Sequence, residues 1–173
     1  MSLPPTLGGG PLPVLELIRQ NILATLGGIS TSRGFQTNVI VTEPTREARP
    51  NTDGILVAVD VQLGPAEYNP EHSSCNNLVE WGQVFDLVFN CAQGQSNPAN
   101  PATAIPADRM VILARSDIEK ALDADPHRGG FAANTLPAPP EWFTRSAGEH
   151  EGGVVRRYVI YRTNWDDAYV MRA

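Results

Sequence analysis

Near the start of the chain, apolar residues recur every three or four positions: Leu12, Leu15, Ile18, Ile22 and Leu26, with Val14 and Leu23 widening the stripe. This period predicts an amphipathic helix over 12–26. Pro11 and Pro13 are tolerable in its first turn, and Gly27-Gly28 supply its stop. Beyond a turn at Ser32–Gly34 the period changes to two. Phe35, Thr37, Val39 and Val41 alternate with Gln36 and Asn38, as in a half-buried strand. Ile55, Val57, Val59, Val61 and Leu63 then share one face of the clearest strand in the chain. After a loop expected over 64–77, Trp81, Gln83, Phe85, Leu87, Phe89 and Cys91 share one face of another. Two successive strands joined by a loop most economically pair antiparallel.

A polar, proline-rich stretch, 92–106, precedes a second helical stripe made by Met110, Val111, Ala114, Ile118, Ala121 and Leu122. Asp108 is the expected cap, and the helix is expected to end near Asp125-Pro126 because the residue before proline avoids the helical region. Residues 126–153, rich in glycine and proline, read as a long loop. The last predicted strand, Val154–Thr163, mixes apolar and charged residues on both faces, so it is expected to meet a neighbour on each side. The order helix, strand, strand, strand, helix, strand predicts an α+β domain. Its sheet is mostly antiparallel, with two α-helices packed on one face and long ordered loops. The length suits a flexible leader over 1–10 and a single domain over 11–173.

Composition changes this picture in two ways. Glycine and proline number 15 each, and charged residues make up only 18% of the chain, a profile of sheets and turns that is still too apolar for global disorder. Of the 13 basic residues only Lys120 is a lysine. A GC-rich coding sequence accounts for most of such a bias, and arginine is also the cation preferred at protein contacts. The formal charge of −6 contains no basic domain, so sequence-specific nucleic-acid binding is not expected. Cys75 and Cys91 suggest no disulfide scaffold, and His72, His127 and His150 are scattered. No apolar run reaches the roughly 18 residues of a membrane span, so no membrane partner is expected.

The inventory of reaction chemistry is thin. The chain contains no G-x-S-x-G, no G-x-x-x-x-G-K-[ST], no G-x-G-x-x-G and no H-E-x-x-H. Neither an enzymatic activity nor a cofactor or metal is expected. By contrast, Arg145, Arg156, Arg157, Tyr158, Arg162, Trp165, Asp166, Asp167 and Tyr169 gather near the C-terminal end of the sequence. Tyrosine, tryptophan and arginine dominate protein interfaces, so these residues are the candidate contacts to other subunits or partners. A packed terminal strand whose arginine heads reach water is the competing account of the same residues.

Two stretches carry a family likeness. The helix end Ile22-Leu23-Ala24-Thr25-Leu26 leads into Thr31-Ser32-Arg33-Gly34-Phe35-Gln36-Thr37, with a Gly-aromatic-x-Thr step. The closing stretch is Val159-Ile160-Tyr161-Arg162-Thr163-Asn164-Trp165-Asp166-Asp167-Ala168-Tyr169. Together they resemble the tail terminator proteins of long-tailed bacteriophages. Ala168 stands where that family often has proline, and the segments 64–77 and 126–153 look longer than in a minimal member. The resemblance implies a structural virion protein at the head-proximal end of the tail. It implies a homo-oligomeric ring, usually a hexamer, that caps the tail tube, ends its polymerisation and joins it to a head-completion or neck protein. An acidic balance suits a bore that passes DNA without holding it. Another head-tail connector is the nearest alternative. A soluble enzyme or small-ligand binder, with 126–153 as a lid over His127, Asp166 and Asp167, is the alternative of a different class.

Overall fold

A computed structural model describes residues 6–7, 10–42, 55–70, 78–92, 96–97, 100–144 and 150–164. In chain order its elements are β1 (Thr6–Leu7), β2 (Gly10–Pro11), α1 (Val14–Gly27), β3 (Thr37–Val41), β4 (Ile55–Asn69) and β5 (Leu78–Ala92). These are followed by β6 (Ser96–Asn97), β7 (Asn100–Ala104), α2 (Ala107–Asp123), β8 (Asn134–Thr144) and β9 (His150–Asn164). β1–β2 and β6–β7 are small two-stranded pairs, and the other five strands form one sheet in the order β3-β4-β5-β9-β8. Only the β3–β4 pair is parallel. The expected α+β architecture, with a mostly antiparallel sheet and two helices over one face, is the observed one.

The core lies between that face and the helices. α1 contributes Val14, Ile18, Ile22 and Leu26, and α2 contributes Met110, Ala114, Ile118 and Leu122, against Val57, Val59, Phe85, Leu87, Phe89, Val155 and Val159 of the sheet. Alternation in the strands decides which residues join it, because successive side chains point to opposite faces. β4 alternates buried and intermediate from Ile55 to Val61 and becomes largely exposed from Gln62 onward.

Several boundaries differ from expectation, each for a local reason. β4 continues through the supposed loop to Asn69, with a register shift between Leu63 and Ala66 that accommodates Gly64-Pro65. Asp108 is not the cap of α2: Pro106 is, and Asp108 sits in the first turn, where its charge favours the helix dipole. The largest departure is β8, which occupies most of what read as a long loop. Pro137, Pro139 and Pro140 argue against a central strand, but β8 is an edge strand, and its register shift between Ala138 and Glu141 takes up the proline pair. The described part of the 126–153 span is therefore a turn, an edge strand and the beginning of β9. Neighbouring β5 and β9 approach so closely at Gly152 that a Cβ there would lie 2.0 Å from the Phe89 carbonyl oxygen.

The connection from α1 to β3 explains the Gly-aromatic-x-Thr step in physical terms. Gly34 takes the left-handed conformation at φ 83°, which ends the single 3-10 turn Thr31–Arg33. Phe35 packs on the core and lies under the Lys120 ammonium, 5.0 Å from its ring centre. Thr37 is fully buried, and its amide and hydroxyl both donate to Asp117 Oδ2 at 2.8 Å, as does the Gln36 amide. One buried carboxylate of α2 thus fixes the start of the edge strand β3. Asp117→Ala leaves these donors without their acceptor and is expected to cost about 3 kcal/mol. Urea unfolding of the variant measures this loss.

Candidate functional site

Two helices cover one face of the sheet, and the opposite face has no covering layer among the described residues. Its positions follow from the register. Asp86 stands opposite Arg156, Val84 opposite Tyr158, Gly82 opposite Ile160 and Glu80 opposite Arg162 across β5 and β9. Leu136 and Ala138 of β8 continue these rows beyond Tyr158 and Arg156, and Asp60 of β4 stands opposite Val88. The face is a mixed surface: half-exposed aliphatic side chains separated by charged ones.

Three candidate residues are brought together here. Arg156 grips Asp86 in a fork, Nε to Oδ1 at 2.6 Å and Nη2 to Oδ2 at 3.2 Å, and reaches Glu141 Oε1 at 3.1 Å through Nη1. The hydrogen bond to Asp86, reinforced by the charges of both carboxylates, holds its pKa above the usual arginine range. Tyr158 lies across Gly82, where a Cβ would come within 1.8 Å of the phenol oxygen, and its hydroxyl donates to Glu67 Oε2 at 3.4 Å. Arg162 meets Glu80 at 2.9 Å, and Asn69 Nδ2 donates to the other oxygen of that carboxylate at 3.2 Å. Because Glu80 is buried while Arg162 is exposed, truncating Arg162 affects folding as well as any contact surface.

Arg157 is different. Its side chain points to the helix-covered face, is 3% exposed and pairs with Asp123 at 3.0 Å. It is a core cation and leaves the candidate contact surface. The alternation Arg156, Arg157, Tyr158 requires this, since adjacent residues of one strand point to opposite faces. Arg145, Trp165, Asp166, Asp167 and Tyr169 lie outside the described residues. His127 is exposed, but its amide donates to Asp125 Oδ1 at 3.1 Å and its Nδ1 lies 3.0 Å from the Ala133 carbonyl oxygen, so it is held within its own turn. Among the described residues no group of three or more histidine, cysteine or acidic side chains is placed to hold a metal.

Sequence reasoning places Asp60 on the second face of its strand but misses the other acidic members of the open face: Glu67, Glu80, Asp86 and Glu141. Only the cross-strand register shows that Asp86 and Glu141 meet Arg156, that Glu80 stands opposite Arg162 and that Glu67 lies beside Tyr158. Sequence reasoning also misses Arg128, which is 1% exposed and donates from Nη2 to the Leu122 carbonyl at the end of α2 and from Nε to Thr135 Oγ1 at 3.1 Å. Burial lowers its pKa, the charge of Arg157 adds to the effect, and Asp125 and Asp123 oppose it.

No family model matches the chain, and no curated protein matches it.

Burial raises the pKa of Tyr158 above the ordinary tyrosine value, and the negative charge of Glu67 raises it further; burial alone raises that of Tyr161. In each case the folded state holds the proton more tightly than the unfolded chain. Their contribution is complete below about pH 10 and is lost as pH rises through the folded-state values. An alkaline absorbance titration is expected to show phenols ionising above the ordinary range, and Tyr158→Phe removes one of them.

Proposed function

We propose that the chain is a tail terminator of a long-tailed bacteriophage, a structural virion protein that acts without enzymatic chemistry. It forms a homohexameric ring on the finished tail tube, ends tube polymerisation and presents the joining surface to a head-completion or neck protein. The observation that carries this reading is the open face of the sheet. It has half-exposed aliphatics, a fork-paired arginine, a tyrosine laid over a glycine, and exposed Leu136 at its edge. Such a mixture is what a protein contact uses: an apolar middle with arginine and aromatic anchors and polar groups between them.

The likeness over 22–37 and 158–169 supports the reading independently, since it rests on residue identities and not on the face. Part of the first stretch has a structural reason to be as it is: Gly34 turns the chain, Phe35 packs, and Thr37 is anchored to Asp117. A closed ring needs two different surfaces on each subunit that meet head to tail. The two edges of the sheet are poor choices for that contact. β8 carries three prolines, β3 is only 5 residues long, and β4 beyond Val59, where its pairing with β3 ends, carries the Gly64-Pro65 irregularity, all features that discourage strand addition. Contact through faces is therefore favoured over contact through edges.

Light scattering of the purified protein is expected to give six times the subunit mass, and labelling of virions is expected to place it where head meets tail. Leu136→Glu, a surface change expected to alter stability by less than about 0.5 kcal/mol, is expected to shift the ring toward monomer. A location in the capsid shell or at the tail tip overturns the terminator reading, and a neck location assigns the chain to another connector.

A further inference from the structure

Two of the exposed large hydrophobic residues, Leu63 at 53% and Tyr68 at 45%, belong to β4 beyond the point where β3 leaves it. Residues five positions apart in a regular strand point to opposite faces. Here the register shift between Leu63 and Ala66 inserts one extra residue and turns both to the same face. Leu63 stands opposite Phe85, Ala66 opposite Gln83 and Tyr68 opposite Trp81, and Phe85 belongs to the helix-covered core. The row therefore lies on the helix side of the sheet, yet Leu63, Ala66 and Tyr68 are all exposed. The irregularity that creates it is fixed from beneath. Gln83, 4% exposed, donates from Nε2 to the Gly64 and Val84 carbonyl oxygens at 2.8 and 2.9 Å. The Tyr68 ring lies beside that of Trp81, with centres 5.6 Å apart and planes at 53°. Exposed apolar side chains grouped in this way mark a contact surface.

The end of β9 lies at one end of this row. Tyr161 stands opposite Trp81, the Trp81 indole donates to Thr163 Oγ1 at 3.3 Å, and Asn164, opposite Leu78, closes the strand. Residues 165–173 follow, with large apolar side chains at Trp165, Tyr169, Val170 and Met171. Fully extended, such a segment reaches about 30 Å, whereas the row from Leu63 to Tyr68 is roughly 17 Å long. The surplus is enough to cross from one subunit to another. β9 arrives at Asn164 running away from Leu63, whose row contains Arg157. A segment seated on its own subunit's row has to double back, whereas one that continues outward meets a neighbour.

We propose that residues 165–173 of one copy lie on the Leu63–Tyr68 row of the next. This deepens the ring reading and rests on it. The contact is heterologous: each subunit gives its segment once and receives one once, and repetition of a single rotation closes the ring. It uses a face and not a strand edge, and it adds to whatever the open face contributes on the other side of the sheet. Trp165 and Tyr169, candidate contacts by their residue types, become the aromatic anchors of the segment.

The test places a photo-crosslinker in the full chain, Tyr169→p-benzoylphenylalanine. After irradiation of the assembled protein, a denaturing gel is expected to show covalent dimers and larger species, and mass spectrometry is expected to place the crosslink between Leu63 and Tyr68 or at Trp81. Leu63→Glu with Tyr68→Glu is expected to abolish the crosslink and to weaken self-association at least tenfold by mass photometry, with thermal melting close to that of the wild type because both side chains are exposed. Should that pair of charges lower the melting temperature substantially, Leu63→Ser with Tyr68→Ser replaces it, with the same loss expected. Crosslinks confined to single chains, crosslinks mapped to other surfaces, an absence of crosslinks, or rings that form normally from the folded double variant overturn the seating and leave the ring reading in place. A wild-type chain that light scattering shows to be monomeric overturns both.

Discussion

Two helices can cover only one face of a five-stranded sheet, and most of this molecule follows from that constraint. On the covered face the strands supply a continuous apolar surface, and α1 and α2 complete it. The uncovered face must be solvated, paired internally or buried against another molecule. Charges on it are matched across strands, and half-exposed aliphatic residues are left between them. Arg156, Tyr158 and Arg162 belong to this face, while Arg157, one residue from both Arg156 and Tyr158, belongs to the core. A single alternating strand thus supplies the core with one set of residues and the open face with the other.

The layers are held in register by polar groups that the core cannot do without. Asp117 reaches from α2 to the first residues of β3, and Arg128 joins the end of α2, at the Leu122 carbonyl, to Thr135 of β8. These contacts fix α2 relative to the sheet. A buried carboxylate in the second half of the helix and a buried guanidinium just beyond its C-terminal end hold it against the sheet.

Much of this was legible in the sequence. The apolar stripes of both helices and the alternation in Ile55–Leu63 and Trp81–Cys91 encode the layers directly, because the core imposes those periods on the residues that line it. β8 was not legible, since its prolines are tolerated only because it lies at an edge, and edge position is a property of the whole sheet. The composition of the open face was hidden for a similar reason. Asp86 and Arg156 are 70 residues apart, and only the β5–β9 register makes them partners. Arg157 was misplaced because the arginine cluster was read as a group, when the strand period divides it between two faces.

Electron cryomicroscopy of the purified full-length protein tests the central claim most directly, because it shows what covers the open face in the assembled state. The account predicts a closed six-membered ring in which the row Asp86, Arg156 and Glu141 of each subunit is buried against its neighbour. A ring in which that row faces bulk solvent, or particles that remain single subunits, would contradict it.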